Sequence, residues 1–337
     1  MSTTEIQAEL QVLYSTLRGL QVAGLSSVAA LTWLTFDILM TFGQEVDYIW
    51  KAKWTYPKCL YITARYYGLV NLIILTAVSV NTNLSVEVRL STHIVMTCKG
   101  WIWFDGYGST VIIMTVVTQI FLLRVNALYG GNKILLAFLI VCWLAEFIVT
   151  CVNTAMTLRP VEIIPKPLGL PFLGCLSKEI SARSSLASWV TCLTVACVYY
   201  VLTIYKLAQT VIFKDWFDVR HIFGKKSPYP IMTAFLRDGS VFFGMIFLAV
   251  LLNTVTTVVG GTILAISAPW LRATYSIAGS RLILNLRSLS SSMNTSLDMQ
   301  SFSGPSPKRT YANALPLEFR IQTHEAASAG TAGLSPV

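Results

Sequence analysis

Charge is scarce in this chain. Of 337 residues only 12% are Asp, Glu, Lys or Arg, against 54% hydrophobic, and soluble domains average about 25% charged. A chain so poor in charge has no means of covering itself with a water-soluble surface. Histidine is scarcer still, with three copies, and the seven cysteines form no CxxC pair and stand at no metal-like spacing to His93, His221 or His324. That excludes the clustered intramembrane histidines and carboxylates of a zinc hydrolase. Lysine is missing between Lys226 and Lys308, so a retinal pigment with its Schiff-base lysine in a last helix is excluded too. No GxxxxGK[ST] loop and no G-x-S-x-G elbow occurs. The expectation is a protein that is not an enzyme and holds no cofactor or metal. A half-repeat is also absent, which counts against an inverted-repeat transporter.

The apolar residues arrive in runs of twenty or so, the length a helix needs to cross about 30 Å of hydrocarbon. Seven spans are expected, over residues 20–42, 58–80, 104–129, 134–156, 186–208, 240–263 and 266–286. The seventh, with Pro269, Arg272, Gly279 and Arg281, is the least apolar. The fold class is therefore all-α, an integral membrane bundle of about seven transmembrane helices. Three regions follow: a short outer segment 1–19, a membrane domain 20–287, and a tail 288–337 rich in Ser, Thr, Pro, Gly and Ala that is expected to be disordered.

The net charge of +9 lies in the loops between runs and forms no single stripe, so it speaks for membrane topology and against nucleic acid. Around span one the bias is clearest: Arg18 precedes it, while Lys51, Lys53 and Lys58 follow. Basic residues stay in the cytosol, which puts the amino terminus outside and the tail inside. With no basic n-region in residues 1–20, the first span is expected to act as its own insertion signal.

The densest stretch is Leu31 to Tyr67. It carries Asp37 inside one run, Thr41, Glu45, Val46, Asp47, Ile49, Trp50, Lys51, Lys53 and Trp54 about the turn, and Arg65-Tyr66 inside the next run. The pattern D…T-x-x-x-E-V-x-x-I-W-K-x-K-W…R-Y resembles the N-terminal signature of a large fungal, chiefly basidiomycete, family of seven-pass membrane proteins defined by a domain of unknown function. Leu123-Arg124-Val125-Asn126-Ala127-Leu128-Tyr129-Gly130 and Arg281-Leu282-Ile283-Leu284-Asn285-Leu286-Arg287 are similar to further family features, with Asn126 where an aromatic is common. The resemblance implies membrane location and seven helices over residues 20–290; it brings no activity.

Several constellations stand out. Asp37 and Arg65 fall at a shared depth of roughly 10 Å above the inner face, with Arg124 and Arg281 near the same level. A charge in hydrocarbon costs at least about 2.5 to 3.5 kcal/mol, so opposite charges are expected to pair. The foremost reading is a bracket locking helices one, two, three and seven; the alternatives are a switch that breaks between states and an ion or proton path. Glu146 lies near the midplane at the level of Asn71 and Asn253, where a carboxyl group has to be neutralised or hydrogen-bonded, and it stands either as a functional group or as interhelical glue. Cys98 and Cys175 both fall on the outer, oxidising side, where a disulfide would pin the proline-rich loop over the bundle as in many seven-helix receptors. Trp50, Lys51, Lys53 and Trp54 form an interfacial belt of aromatic and snorkelling side chains.

The functional expectation is a multi-pass membrane protein of receptor-like seven-helix architecture. Its partners would be the lipid bilayer, a small-molecule or lipid ligand and a cytosolic signalling partner. Neither D-R-Y after span three nor N-P-x-x-Y in span seven occurs. A channel or carrier using Glu146, and a lipid-interacting scaffold, are the alternatives.

Overall fold

Apolar runs in a medium without water become helices because only a helix satisfies its own backbone N–H and C=O groups. The computed structural model describes residues 3–80, 87–91, 94–161, 182–218, 230–260 and 262–302, and its architecture is a bundle of long helices. Helix α1 spans Thr3–Glu45 and runs on through a π-helical turn, Val46–Trp50. After a break at residues 51–55 the chain re-enters as α2 (Tyr56–Ile62), started by Thr55 in extended conformation with Pro57 in the first turn, where its missing N–H costs nothing. A second π turn, Thr63–Tyr67, leads into α3 (Gly68–Val80).

Helix α4 (Cys98–Trp103) passes through a third π segment, Phe104–Val111, into α5 (Ile112–Leu128). Gly130 and Gly131, at φ 70° and 75°, turn the chain in the left-handed region that only glycine enters without strain. Asn132 then caps α6 (Lys133–Leu158), its side chain accepting from the Ile134 N–H at 3.0 Å. Helices α7 (Ala182–Asp218), α8 (Pro230–Val259) and α9 (Thr262–Phe302) complete the bundle.

Six of the described helices are long and apolar enough to cross a membrane: Leu17–Trp50, Tyr56–Val80, Lys99–Leu128, Lys133–Leu158, Ser185–Lys206 and Gly239–Val259. They coincide with the first six expected spans. Their outward positions, among them Leu39, Met40, Val141, Ile148, Leu248 and Val258, are exposed and apolar, as a lipid-facing surface requires. Hydroxyls inside the spans, such as Thr150, Thr203 and Thr254, donate to a carbonyl one turn back in their own helix, which removes the penalty of an unanswered donor in hydrocarbon.

The all-α class holds, with two features that the run lengths did not indicate. The loop after the second span contains an antiparallel hairpin, β1 (Glu87–Ser91) with β2 (Ile94–Thr97), pairing Glu87 with Thr97 and Val88 with Met96. Its Val and Ile content suits strand, and a loop outside the apolar runs is free to adopt it. The second feature concerns α9, which is not among the six apolar spans and yet is the most enclosed element: every residue from 271 to 280 is buried. It packs against α1, α3, α5 and α8. Hydropathy measures transfer into lipid, and a helix surrounded by other helices is excused from that test. The same helix continues past Arg287 to Phe302, into the first residues of the expected tail, and α1 already begins at Thr3, within the expected outer segment; residues 303–337 lie outside those described.

The close approach of α3 to α9 needs glycine at position 68, where an added Cβ would stand 2.8 Å from Ser276 Oγ and 3.0 Å from its Cβ. Gly43, by contrast, has nothing within 4 Å. Gly68→Ala is therefore expected to destabilise the detergent-solubilised protein by about 1–3 kcal/mol through overpacking, whereas Gly43→Ala should be neutral or stabilising by about 0.5–1 kcal/mol. Thermal midpoints of the two variants check the contrast.

Candidate functional site

Asp37, Thr41 and Glu45 recur at four-residue intervals on α1, so they form one stripe along the helix. Opposite them Arg65 sits in the π turn Thr63–Tyr67. A π turn shifts the side-chain register by one residue and is frequent where a side chain has a special task; here it coincides with a guanidinium that is fully buried. Its Nη1 donates to Ser280 Oγ at 3.2 Å and reaches Asp37 Oδ2 at 3.4 Å. Nη2 donates to the Ile38 carbonyl at 3.3 Å and to the Thr41 hydroxyl. Nε stands 3.1 Å from Glu45 Oε2 as an ion pair whose N–H is not aimed at the oxygen. The Tyr61 ring, 5.7 Å from the guanidinium carbon, covers one face.

Both carboxylates have a second partner. Asp37 Oδ1 takes Arg281 Nε at 2.6 Å, and Glu45 Oε1 accepts from the Tyr66 hydroxyl at 2.5 Å. Two acids and two guanidiniums thus make a formally neutral network joining α1, the α2–α3 span and α9. Arg65 and Glu45 are closed off, while the Arg281 side chain keeps 36% exposure. Six residues further along α9, Arg287 donates to the Tyr48 carbonyl at 3.1 Å and to Thr55 Oγ1 at 2.9 Å. The two ends of the Arg281–Arg287 motif therefore grip the two ends of the Asp37–Thr55 motif.

The turn between the spans is held mostly by backbone acceptors. Lys58 is buried, donating to the Ala52 carbonyl at 2.8 Å and lying 4.8 Å from the Trp54 ring. Lys51 pairs with Asp47 at 2.7 Å on the exposed side, and Trp50 and Trp54 are exposed, in keeping with the expected aromatic belt.

Of the four residues expected in the inner cluster, three meet. Arg124 is buried against α8: its guanidinium occupies the space above Gly239 and lies 5.9 Å from the Phe243 ring. The expectation placed it with Asp37 because depth alone was used; the facing direction along α5 sends it to the other neighbour. Glu45, expected in the turn, is instead the second acid of the network. Its spacing of eight from Asp37, two helical turns, is the signal that would have found it.

A second polar chain escaped the sequence reading. Arg272 pairs with Asp105 at 3.0 Å, Ser109 donates to Asp105 Oδ1 at 3.1 Å, and Asn71 donates to Ser109 at 2.7 Å. Arg272 is buried there, and Asp105 and Ser109 both belong to the third π segment. Asn253 instead accepts from Ser267 at 3.1 Å between α8 and α9, and Glu146 is buried on α6 with Thr118 and Cys192 beside its carboxyl. Among the described residues no hydrogen bond joins any two of Asn71, Glu146 and Asn253, so the three expected midplane groups serve three separate helix interfaces. Cys175 and the side chain of Cys98 lie outside the described residues; Cys59, Cys142, Cys151, Cys192 and Cys197 are free.

The model of a family of unknown function (DUF6533) matches residues 25–70. That window contains Asp37, Thr41, Glu45, Arg65 and Tyr66, all of the network except its α9 members. No curated protein matches the chain. The network makes a direct prediction: Arg65→Gln leaves the buried Glu45 without a cation and Asp37 with Arg281 alone, and should cost about 3–5 kcal/mol, while Arg281→Gln, at the partly exposed edge, should cost about 1 kcal/mol or less. Unfolding of the purified variants in detergent, with equal losses for both, would contradict this hierarchy.

Proposed function

We propose that the protein is a receptor-like seven-helix membrane protein without enzymatic activity, in which the Asp37–Arg65–Glu45–Arg281 network is a latch at the cytosolic end. In this reading α9 is the seventh crossing, the amino terminus is outside, the turn bearing Trp50, Lys51, Lys53 and Trp54 is inside, and the whole chain is a member of the fungal seven-pass family that its signature resembles. The observation that carries the proposal is a neutral set of four charges connecting the first, second and last helices, closed on the Arg65 side and reachable on the Arg281 side.

Hydrophobic packing would join three helices at least as firmly as a buried ion pair does, because desolvation offsets much of the Coulomb gain. What charges add is discreteness: the pair is made or broken, and a rigid helix such as α9 moves as a unit when it breaks. A cytosolic partner approaching Arg281 and Arg287 would meet both fasteners of α9 at once. A small-molecule or lipid ligand would act from the other side by shifting the population between latched and released forms.

Spin labels at Lys53 and Ser288, in a background freed of native cysteines, test the latch. The unmodified network should give one dominant distance, Asp37→Asn should add a second, longer population, and the paired exchange Asp37→Arg with Arg281→Asp should return most of the signal to the first. A single unmoved distribution in all three proteins would sink the latch. The outer half of the proposal includes a Cys98–Cys175 disulfide, expected as one linked peptide in non-reducing digests; free thiols at both positions would remove it.

A further inference from the structure

Helix α6 carries a feature the latch does not use. Val111, Met114 and Thr115 on one side and Trp143, Glu146, Phe147 and Thr150 of α6 on the other enclose a recess with about 10 Å³ of open space, close to what a single hydroxyl or water fills. Trp143 and Glu146 are three residues apart and so lie on one face of the helix. Trp143 Nε1 and Glu146 Oε2 are both buried and both without a hydrogen-bond partner, although Thr118 and Cys192 stand beside the carboxyl, and both residues line the same recess. A donor and an acceptor left open in hydrocarbon cost several kcal/mol between them.

The surroundings limit what can answer them. Glu146 stands about 20 Å along a helix about 39 Å long, near the middle of α6. Phe147, which lines the recess, is itself exposed, as are Val141, Leu144, Ile148 and Val152 farther round the helix, and in a spanning helix those positions face acyl chains. A phosphate or ammonium headgroup does not descend to that depth, so the occupant must be largely apolar with one small polar end. An indole N–H and a carboxyl oxygen together require a group that accepts one hydrogen bond and donates another. A hydroxyl does both, and its size matches the recess.

We propose that this recess is a lipid-facing binding site for the hydroxyl group of a neutral lipid, a sterol or a diacylglycerol, which accepts from Trp143 Nε1 and donates to Glu146 Oε2 while its body lies along α6. The site stands apart from the latch and does not depend on it.

The test uses dicyclohexylcarbodiimide, an apolar reagent that forms a stable adduct with carboxyl groups reached from lipid. In full-length protein reconstituted in dioleoylphosphatidylcholine nanodiscs, peptide mass spectrometry should show the adduct on Glu146 and its loss in Glu146→Gln. Adding cholesterol or dioleoylglycerol should slow labelling about tenfold, the factor expected when lipid exceeds its Kd about tenfold. Cholesteryl methyl ether and trioleoylglycerol, which lack the hydroxyl donor, should leave the rate unchanged. Whichever of the two alcohols protects identifies the source of the hydroxyl. Trp143→Phe should keep the unprotected rate and weaken the protection. The proposal is overturned if Glu146 resists the reagent, if the capped lipids protect as well as the alcohols, or if none protects, the last meaning that the recess holds only water.

Discussion

A guanidinium withdrawn from both water and lipid must have its N–H groups answered by protein, and in this chain that demand falls on Arg65. Each of the elements around it is shaped by the answer. The α1 helix supplies a stripe of Asp37, Thr41 and Glu45 at successive turns, the backbone carbonyl of Ile38 fills the gap between them, and α9 contributes Ser280. The π turn at Thr63–Tyr67 brings Arg65 and Tyr66 to the two oxygens of one carboxylate, Glu45. Since Asp37 is also shared with Arg281, the position of α9 is tied to the same ion. Remove Arg65 and three helices lose a common point of attachment.

The consequence for α9 is a reversal of the usual relation between hydropathy and membrane burial. A helix at the periphery must be apolar outward, and α6 obeys with Val141, Leu144, Ile148 and Val152 exposed. A helix held inside by ion pairs at Arg272 and Arg281 is free to carry serines, glycines and arginines, because its neighbours supply partners. Small residues along it permit close approach, as at the contact of Ser276 with Gly68. Its polarity is thus a sign of centrality.

Much of this was legible in the sequence, and the parts that were not share a cause. Span positions follow from run length, which depends on local composition alone, and the pairing of Asp37 with Arg65 and Arg281 follows from depth, which depends on counting residues from a span's end. Azimuth is different. Whether Arg124 faces α1 or α8, and whether Glu45 belongs to the turn or to the helix, depends on a rotation of 100° per residue whose origin is set by packing between helices. The π segments add to the difficulty, since each shifts the facing direction by a residue. Arg65, Asp105 and Ser109 all lie in such segments, and Asp105 with its partner Arg272 went unnoticed. The Asp37–Thr41–Glu45 stripe was available to a reading by period, but the abrupt rise in charge after Phe42 marked Glu45 as turn.

The two ion networks differ in a way that bears on function. The pair Arg272–Asp105 is extended by Ser109 to Asn71, a chain of neutral hydrogen bonds that spreads one charge pair over α9, the third π segment and α3 and offers no second cation to exchange with. Asp37, in contrast, sits between two cations, one enclosed and one partly exposed. Losing Arg281 leaves Asp37 still paired with Arg65, which it shares with Glu45, at the partly exposed edge; losing Arg65 leaves Glu45 without a cation in a closed space. The network therefore has one direction in which it opens cheaply, and that direction is along α9, where Arg287 holds the turn by two further hydrogen bonds to Tyr48 and Thr55. Movement of α9 is thereby coupled to the geometry of the turn, through Asp37 at one point and Tyr48 and Thr55 at another.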